Sequence, residues 1–263
     1  MDNQPLSPSL SPTGDFEGTA PPPRLLPASD GAAWWGESWR IFCAAPLAWI
    51  GIFVVFVVLS FLLMKIPIIG SPAHAVLTPV FAGGVMLGCH ALARGEPLSV
   101  AHLFEGFHGE HLAPLLTLGL LWLAMLIGVA VLIVGTAFLA LGIAGVAALV
   151  NFASSPIDYY FALTTAGMWI AIIALVALTL LLLAAMAYWF APALVVLNGE
   201  PPISALSKSF AASWRNFGAF LLYGLIYIGL AIAATIPLML GWFVLAPMLV
   251  GSCYAGWRTI FGK

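Results

Sequence analysis

The sequence predicts an all-α membrane protein with six transmembrane helices in three repeated units, each containing an interfacial amphipathic helix and two spans. Charged residues make up 7% of the chain and the AVILMFWYC group 63%, whereas soluble domains carry about 25% charged and about 45–50% apolar residues. No charged residue lies between His111 and Asn151, or between Asp158 and Glu200. In addition, a short polar-apolar segment precedes a pair of apolar runs three times.

The first 30 residues predict a disordered cytoplasmic tail rich in proline and serine. They contain seven prolines and four acidic residues, with Arg24 as the one basic residue, so they cannot bury enough apolar surface to offset their conformational entropy. They lack a basic segment followed by an apolar stretch, which excludes a signal peptide. We therefore expect the first span to act as an uncleaved insertion signal, and residues 31–263 to form a single transmembrane domain.

Apolar runs long enough to cross about 30 Å of hydrocarbon occur six times. The predicted spans are about 44–65, 73–94, 113–135, 168–190, 218–237 and 239–258. The second long neutral stretch counts as one span because Trp169 and Trp189 border a single apolar run. The surplus after residue 135 predicts a helix on the far side of the membrane, with breaks at Gly135, Gly142 and Gly145.

Positive charge is distributed asymmetrically in this arrangement. One side of the membrane receives Arg24, Arg40, Arg94, Lys208, Arg215, Arg258 and Lys263, and the other receives Lys65 alone. Because cytoplasmic loops carry an excess of lysine and arginine, this predicts a bacterial inner-membrane protein with both termini in the cytoplasm. Two crossings in the first long neutral stretch alone would remove the asymmetry, whereas two crossings in both stretches would restore it.

Short motifs mark an internal repeat. Residues 38–42 (SWRIF) precede the first predicted span, and residues 213–217 (SWRNF) precede the fifth. The tripeptide Gly-Glu-Pro occurs at 95–97 and again at 199–201, where it leads into the second and third units. The predicted units therefore cover about 31–95, 96–198 and 199–263.

The short helix of the third unit has the clearest periodicity. Apolar side chains recur every three or four residues at Ile203, Leu206, Phe210, Trp214 and Phe217. Such a helix lies along the membrane surface, with its aromatic rings at the acyl boundary and its cations near anionic headgroups. A short soluble helix packed on a partner is the less favoured alternative. The candidate lipid-headgroup contacts are Arg40, Arg94, Lys208, Arg215 and Arg258.

The motifs of this helix also resemble those of known proteins. Residues 205–210 (ALSKSF), 214–217 (WRNF) and 190–194 (FAPAL) resemble a family of bacterial six-span inner-membrane proteins without an assigned activity. They are also similar to the membrane domain fused to some glycerophosphoryl diester phosphodiesterases. The resemblance implies a fold and a membrane location. It implies no phosphodiesterase activity, because no soluble segment of this chain is long enough for that domain.

One cluster of ionisable residues could bind a metal. Its members are His102, Glu105, His108, Glu110 and His111. Glu105 and His108 share a helix face, as in di-iron bundles, but that architecture needs a second such pair, which the sequence lacks. The polar side of a surface helix is the favoured interpretation, so we expect no metal and no cofactor.

Small residues mark two helix-packing faces. Gly84 and Gly88 lie four residues apart in the second predicted span, and Gly251 and Ala255 do so in the sixth. Small residues at this spacing allow helices to approach closely in lipid. These two faces could pack against each other, or they could form a contact between two copies of the chain.

The sequence offers no clear reactive site. No acidic residue lies in the middle of a predicted span, where ion-coupled transporters and proton relays place ionisable groups. We therefore expect a non-enzymatic protein that organises or senses the bilayer, or assembles with other membrane proteins or with itself. Its expected partners are membrane lipids, not nucleic acid. A transporter or channel for a neutral or lipid-like solute is the alternative, and an enzyme built on the histidine cluster is less favoured.

Overall fold

The chain is helical throughout the part that a computed structural model describes, which is residues 20–152 and 156–262. The predicted disordered tail lies outside these residues as far as residue 19. In order, the α-helices are α1 Asp30–Ala44, α2 Pro46–Met64, α3 Gly70–Ala93, α4 Leu112–Phe152, α5 Pro156–Tyr188, α6 Ala191–Asn198, α7 Pro202–Arg215, α8 Phe217–Thr235 and α9 Trp242–Phe261. Two 3-10 helices, Val100–Phe107 and Gly109–His111, connect α3 to α4.

Prolines fix several of these boundaries. α2 begins at Pro46, because the fixed φ of proline suits the first turn of a helix. α2 and α8 both end shortly before a proline, Pro67 and Pro237 respectively, since proline cannot continue the hydrogen-bond ladder. Pro79 and Pro247 instead lie inside α3 and α9, where both are buried.

Five helical segments of the described residues are long and apolar enough to cross a membrane. They are Pro46–Met64, Gly70–Ala93, Gly109–Gly142, Thr164–Asn198 and Phe217–Thr235. α2 buries only Trp49 and Ile52 within the protein, and α8 buries only three side chains. Most of their apolar surface therefore faces outward, as expected for helices solvated by lipid.

α9 coincides with the sixth predicted span but differs from these five segments. Eleven of its twenty residues are buried, including Ser252, Tyr254 and Trp257. Its lower apolar content follows from this position, because a helix surrounded by other helices does not need to present a lipophilic side chain at every face.

α4 and α5 form a hairpin that is longer than predicted. α4 contains 41 residues, or about 61 Å of helix, and it continues through Gly135, Gly142 and Gly145. The predicted breaks at these glycines are therefore wrong. A single glycine costs a helix only about 1 kcal/mol relative to alanine, and the intervening leucines and alanines are strong helix formers. Trp122 contacts Tyr188 near the base of the hairpin, with ring centroids 4.6 Å apart.

Aromatic side chains form the core where α1, α8, α9 and the α5–α6 junction meet. The ring of Trp35 stacks on Tyr223, with centroids 4.8 Å apart and planes at 10°. Phe190, at the junction, makes edge contacts with Phe220 at 5.8 Å and with Phe261 at 5.9 Å. This cluster joins the first and last helices of the chain.

Candidate functional site

Three short helices, defined here as α1, the 3-10 helix Val100–Phe107 and α7, carry three of the nine predicted site residues, namely Arg40, Lys208 and Arg215. α1 packs across α8 and α9 through small residues on one face. The hydroxyl of Ser38 is buried and donates a hydrogen bond to the carbonyl of Met248. A Cβ atom at Gly251 would lie 2.8 Å from the Ser38 hydroxyl, and one at Gly31 would overlap the carbonyl of Ala219. The close contact of α1 therefore requires small residues on both sides.

The 3-10 helix Val100–Phe107 packs along α3 in a similar way. A Cβ at Gly106 would overlap the carbonyl oxygen of Val80, and one at Gly84 would lie 2.5 Å from the carbonyl oxygen of His102. A Cβ at Gly88 would lie 2.8 Å from the side chain of Leu98. Gly84 and Gly88 thus contact the 3-10 helix and its entry, whereas Gly251 contacts α1. The two glycine faces do not pack on each other.

α7 also packs closely on the protein, through the hydroxyl groups of its buried serines. Ser209 donates to the carbonyl of Met186 at 2.9 Å and accepts a hydrogen bond from the main-chain N–H of Phe190 at 3.0 Å. Ser213 donates to the same Met186 carbonyl at 3.2 Å. Ala205 and Ala212 complete this buried face. The groups at the α5–α6 junction that lack a helical partner are thereby satisfied within the protein.

The outward faces of the short helices carry large apolar side chains. On α7, Ile203 and Trp214 are 73% and 61% exposed. On α1, Trp39 is exposed and stacks on Phe42, with centroids 5.8 Å apart. Phe104 is exposed on the 3-10 helix. On α7, small side chains such as Ser209 and Ala212 are buried while Trp214 is exposed, whereas α1 buries Trp34, Trp35 and Phe42 and exposes Trp39.

Several of the candidate headgroup-binding cations are paired. Glu37 forms ion pairs with Arg40 and with Arg258, the latter at 2.8 Å. Arg94 pairs with Glu96 at 3.1 Å. The arginine side chains of these pairs are 46–77% exposed, so each pair contributes about 0–1 kcal/mol. Arg215 is exposed and forms no ion pair with any other residue that the structure describes.

Lys208 has a different environment. Its ammonium lies 2.6 Å from the carboxylate of Glu200, whose side chain is fully buried. Glu200 also accepts hydrogen bonds from the hydroxyl of Ser204 at 2.7 Å and from the N–H of Ala20 at 2.9 Å. Burial alone would raise the pKa of the Glu200 carboxyl, but these hydrogen bonds and the charge of Lys208 outweigh it and hold the pKa below its ordinary value. Lys208 is therefore engaged inside the protein.

The chain segment before α1 closes over this polar cluster. Asn216 accepts a hydrogen bond from the N–H of Leu26 at 2.8 Å and donates one to the carbonyl of Arg24 at 3.0 Å. The N–H of Arg24 donates to the carbonyl of Ile260 at 3.2 Å. Residues 20–29, for which the composition predicts disorder, are thus held on the helical domain. Composition does not report such contacts because the partners lie 190 or more positions away.

The histidine cluster is used in local structure. His102 accepts from the N–H of Ser99 through Nδ1 at 3.1 Å, as part of a capping box, and its Nε2 lies 3.6 Å from Glu105. Nδ1 of His108 lies 3.0 Å from the carbonyl of Phe104. Across residues 20–152 and 156–262, no three His, Cys, Asp or Glu side chains are grouped closely enough to hold a metal ion.

Comparison with known proteins places this structure in a family. No family model matches the chain, and no solved structure matches it. A protein of Burkholderia thailandensis described as "Probable inner membrane protein BTH_II0599" is 31% identical over 253 residues, which cover 89% of this chain and 92% of that protein. The chain belongs to the family of this inner membrane protein. Together with the five apolar helices, this relationship makes it a multi-pass inner membrane protein.

Proposed function

We propose that this family member is a non-enzymatic membrane protein whose short helices bind lipid at the membrane surface, and that it organises or senses the bilayer. The outward aromatic residues of these helices are the observation that carries the proposal. Trp39, Phe104 and Trp214 belong to three different short helices, and each is exposed although other residues of its helix are buried against the protein. Aromatic side chains on amphipathic helices insert at the boundary between headgroups and acyl chains.

The proposal includes six spans in three repeated units. Each short helix directly precedes two long ones along the chain. Each also places small residues against a main-chain carbonyl of the second long helix of another unit: Ser38 on Met248, Gly106 on Val80, and Ser213 on Met186. Such recurrence of one contact type supports a repeat in which units interlock. α9 is the sixth span in this arrangement, with protein rather than lipid around much of its surface.

The cytoplasmic face is assigned by charge. Seven of the eight lysines and arginines lie on the side that holds both termini in a six-span arrangement, and this supports a cytoplasmic location for the short helices. We also propose a shared ancestry with the membrane domain of glycerophosphoryl diester phosphodiesterases, supported by residues 205–210 and 214–217. Within these segments, Ser209 and Asn216 make buried hydrogen bonds, so part of the similarity falls on residues that hold the fold.

Arg215 tests the proposal, since it is exposed and lies beside Trp214. In bilayers containing spin-labelled phosphatidylglycerol or phosphatidylcholine, the motionally restricted fraction of each lipid measures selectivity. One cation near an anionic surface contributes about 1 kcal/mol, so Arg215→Gln should lower the local preference for phosphatidylglycerol by up to about fivefold. Arg94→Gln, which removes a cation already paired with Glu96, is the matched control and should change the preference less.

An unchanged lipid preference in both Arg215→Gln and Arg215→Glu would contradict headgroup binding at α7. Flux of a neutral or lipid-like solute through liposomes that contain the wild-type protein, in the absence of any lipid selectivity, would favour the transporter alternative instead.

A further inference from the structure

Two turns, both at the end of the long helices that lies away from the short helices, are apolar and similar in sequence. Residues 66–70 (IPIIG) follow Lys65 in the connection from α2 to α3, and residues 236–241 (IPLMLG) connect α8 to α9. At their tips, Ile68 is 93% exposed and Leu238 is 90% exposed. A turn in water is normally polar, whereas, apart from Lys65 at the start of the first, neither of these turns contains a charged or hydroxyl side chain.

Their backbone geometry is also unusual for a turn in water. Ile68 has a φ of 67°, and Leu238 and Met239 have φ values of 52° and 66°. Side chains are rarely tolerated in this left-handed region, where glycine is the ordinary choice, and a β-branched residue such as Ile68 is a clear outlier. The sequence thus keeps apolar side chains at the tips despite their conformational cost.

Most main-chain N–H groups of the two turns donate hydrogen bonds within the protein, although that of Ile68 does not. In the second turn, the N–H groups of residues 236 and 238–242 all donate to carbonyls of the same hairpin. In the first, the N–H groups of Lys65, Ile66, Ile69 and Gly70 do so. Gly70 and Gly241 permit this closure, because a Cβ at either position would overlap the main chain of the preceding helix. Internal hydrogen bonding is the condition for backbone to enter hydrocarbon.

The lengths of α2 and α8 and the position of Lys65 agree with a location of both turns in hydrocarbon. α2 and α8 contain 19 residues each, or about 28 Å, which nearly equals the hydrocarbon thickness of about 30 Å. The length of α2 or α8 therefore places each turn close to the far boundary of the hydrocarbon and not well beyond it. Lys65, the one charged residue beside them, lies with its ammonium 4.6 Å from the centroid of the Phe61 ring. Its long side chain can extend toward headgroups from a slightly buried backbone.

We infer that both turns lie within the acyl-chain layer of the far leaflet, with Ile68 and Leu238 in contact with lipid chains instead of water. The occupant of the exposed apolar tips is therefore lipid. The inference concerns the end of the molecule away from the short helices and does not depend on headgroup selectivity at α7.

Cysteine substitution tests this location. Ile68→Cys and Leu238→Cys are made with the exposed Cys43 replaced by serine, and the parent with Cys43→Ser reports any labelling of the remaining cysteines. A membrane-impermeant maleimide is applied to spheroplasts and to inverted vesicles. Cys at either tip should react from neither side, but should react fully after denaturation in detergent. Ser99→Cys, in an exposed loop, is the control and should react readily from one side.

Nitroxide labels at the same two positions, attached in detergent before reconstitution, complete the test. Lipid contact predicts strong relaxation by oxygen and weak relaxation by a polar nickel complex. Reaction of either cysteine at a rate within about tenfold of the Ser99→Cys control, or strong nickel relaxation, would overturn the inference. Shielding from both reagents would also overturn it, since that result indicates a protein cover. If one variant does not insert, the other turn carries the same test.

Discussion

At the scale of single residues, the buried carboxylate of Glu200 has the greatest structural importance. It joins the segment before α1 to α7, because it bonds Ala20, Ser204 and Lys208 at once. A buried carboxylate is tolerated only where hydrogen-bond donors and a cation of the protein replace the water that would otherwise solvate it. The same glutamate follows Gly199, whose φ of 65° ends α6, so the second Gly-Glu-Pro motif combines a helix stop with a polar anchor.

Loss of the charge at Lys208 should destabilise the protein more than loss of an exposed cation. Lys208→Met leaves Glu200 buried without its ion partner, which costs about 2–3 kcal/mol here because Lys208 keeps some contact with water. Arg94→Met should cost about 0–1 kcal/mol. Unfolding in mixed detergent micelles measures both. The addition of Glu200→Gln to Lys208→Met should recover part of the loss, and a purely additive double variant would contradict the pairing.

Glu200 should also make stability depend on pH. Its folded-state pKa is below the ordinary value of 4.5, so its contribution is present above that value and is lost as the pH falls through it toward the folded-state pKa. The unfolding temperature of the wild type should therefore fall between about pH 6 and about pH 3 more steeply than that of Glu200→Gln. Parallel curves for the two proteins would show that Glu200 does not contribute.

At the scale of elements, α7 has one face of small and hydroxyl side chains that packs on the protein and another face with exposed apolar side chains. Ala205, Ser209, Ala212 and Ser213 form its buried face, whereas Ile203 and Trp214 face outward. Hydroxyl and small side chains are favoured between helices in a membrane, since they allow close approach and supply hydrogen bonds where water is absent. Of the apolar side chains that recur along this helix, Ile203 and Trp214 are exposed, whereas Leu206 packs against the core.

Glycine substitutions test the close packing of elements. Gly84→Ala introduces a Cβ 2.5 Å from the carbonyl oxygen of His102, and should cost about 1–3 kcal/mol through displacement of the 3-10 helix. Gly128 lies in α4, where a Cβ would meet no atom of another element within 4 Å; Gly128→Ala should be neutral or stabilise by up to about 1 kcal/mol. Thermal unfolding in detergent compares the two, and equal effects would argue against the packing described.

At the scale of the whole molecule, the sequence predicts the helical membrane architecture because lipid selects for uninterrupted apolar runs. The run 44–65 becomes α2, and 218–237 becomes α8, each within a few residues. The paired SWRIF and SWRNF motifs are informative because Ser38 and Ser213 both bond a carbonyl of a distant helix. Such a motif can be recognised in sequence because each contact needs only one serine hydroxyl, which donates to a main-chain carbonyl.

Other features depend on long-range contacts, and the sequence could not supply them. Hydrogen bonds to Glu200 and Asn216 keep residues 20–29 on the helical domain. The sequence around these two residues does not indicate which distant residues they bond. α4 is longer than predicted because an isolated glycine in an apolar helix is tolerated and does not act as a break. The sequence also leaves the partners of Gly84 and Gly251 open, because a small-residue pattern indicates close approach without naming the approaching element.

The central claim is that lipid surrounds most of this chain and that its cations lie on the cytoplasmic side. The most direct measurement is one-sided labelling of Ser99→Cys and Ser154→Cys in intact spheroplasts and inverted vesicles, with Cys43→Ser as the parent. The account predicts that an impermeant maleimide reacts with position 154 only from outside and with position 99 only from the cytoplasm. Reaction of position 154 only from the cytoplasm, or release of the protein into the aqueous fraction without detergent, would contradict it.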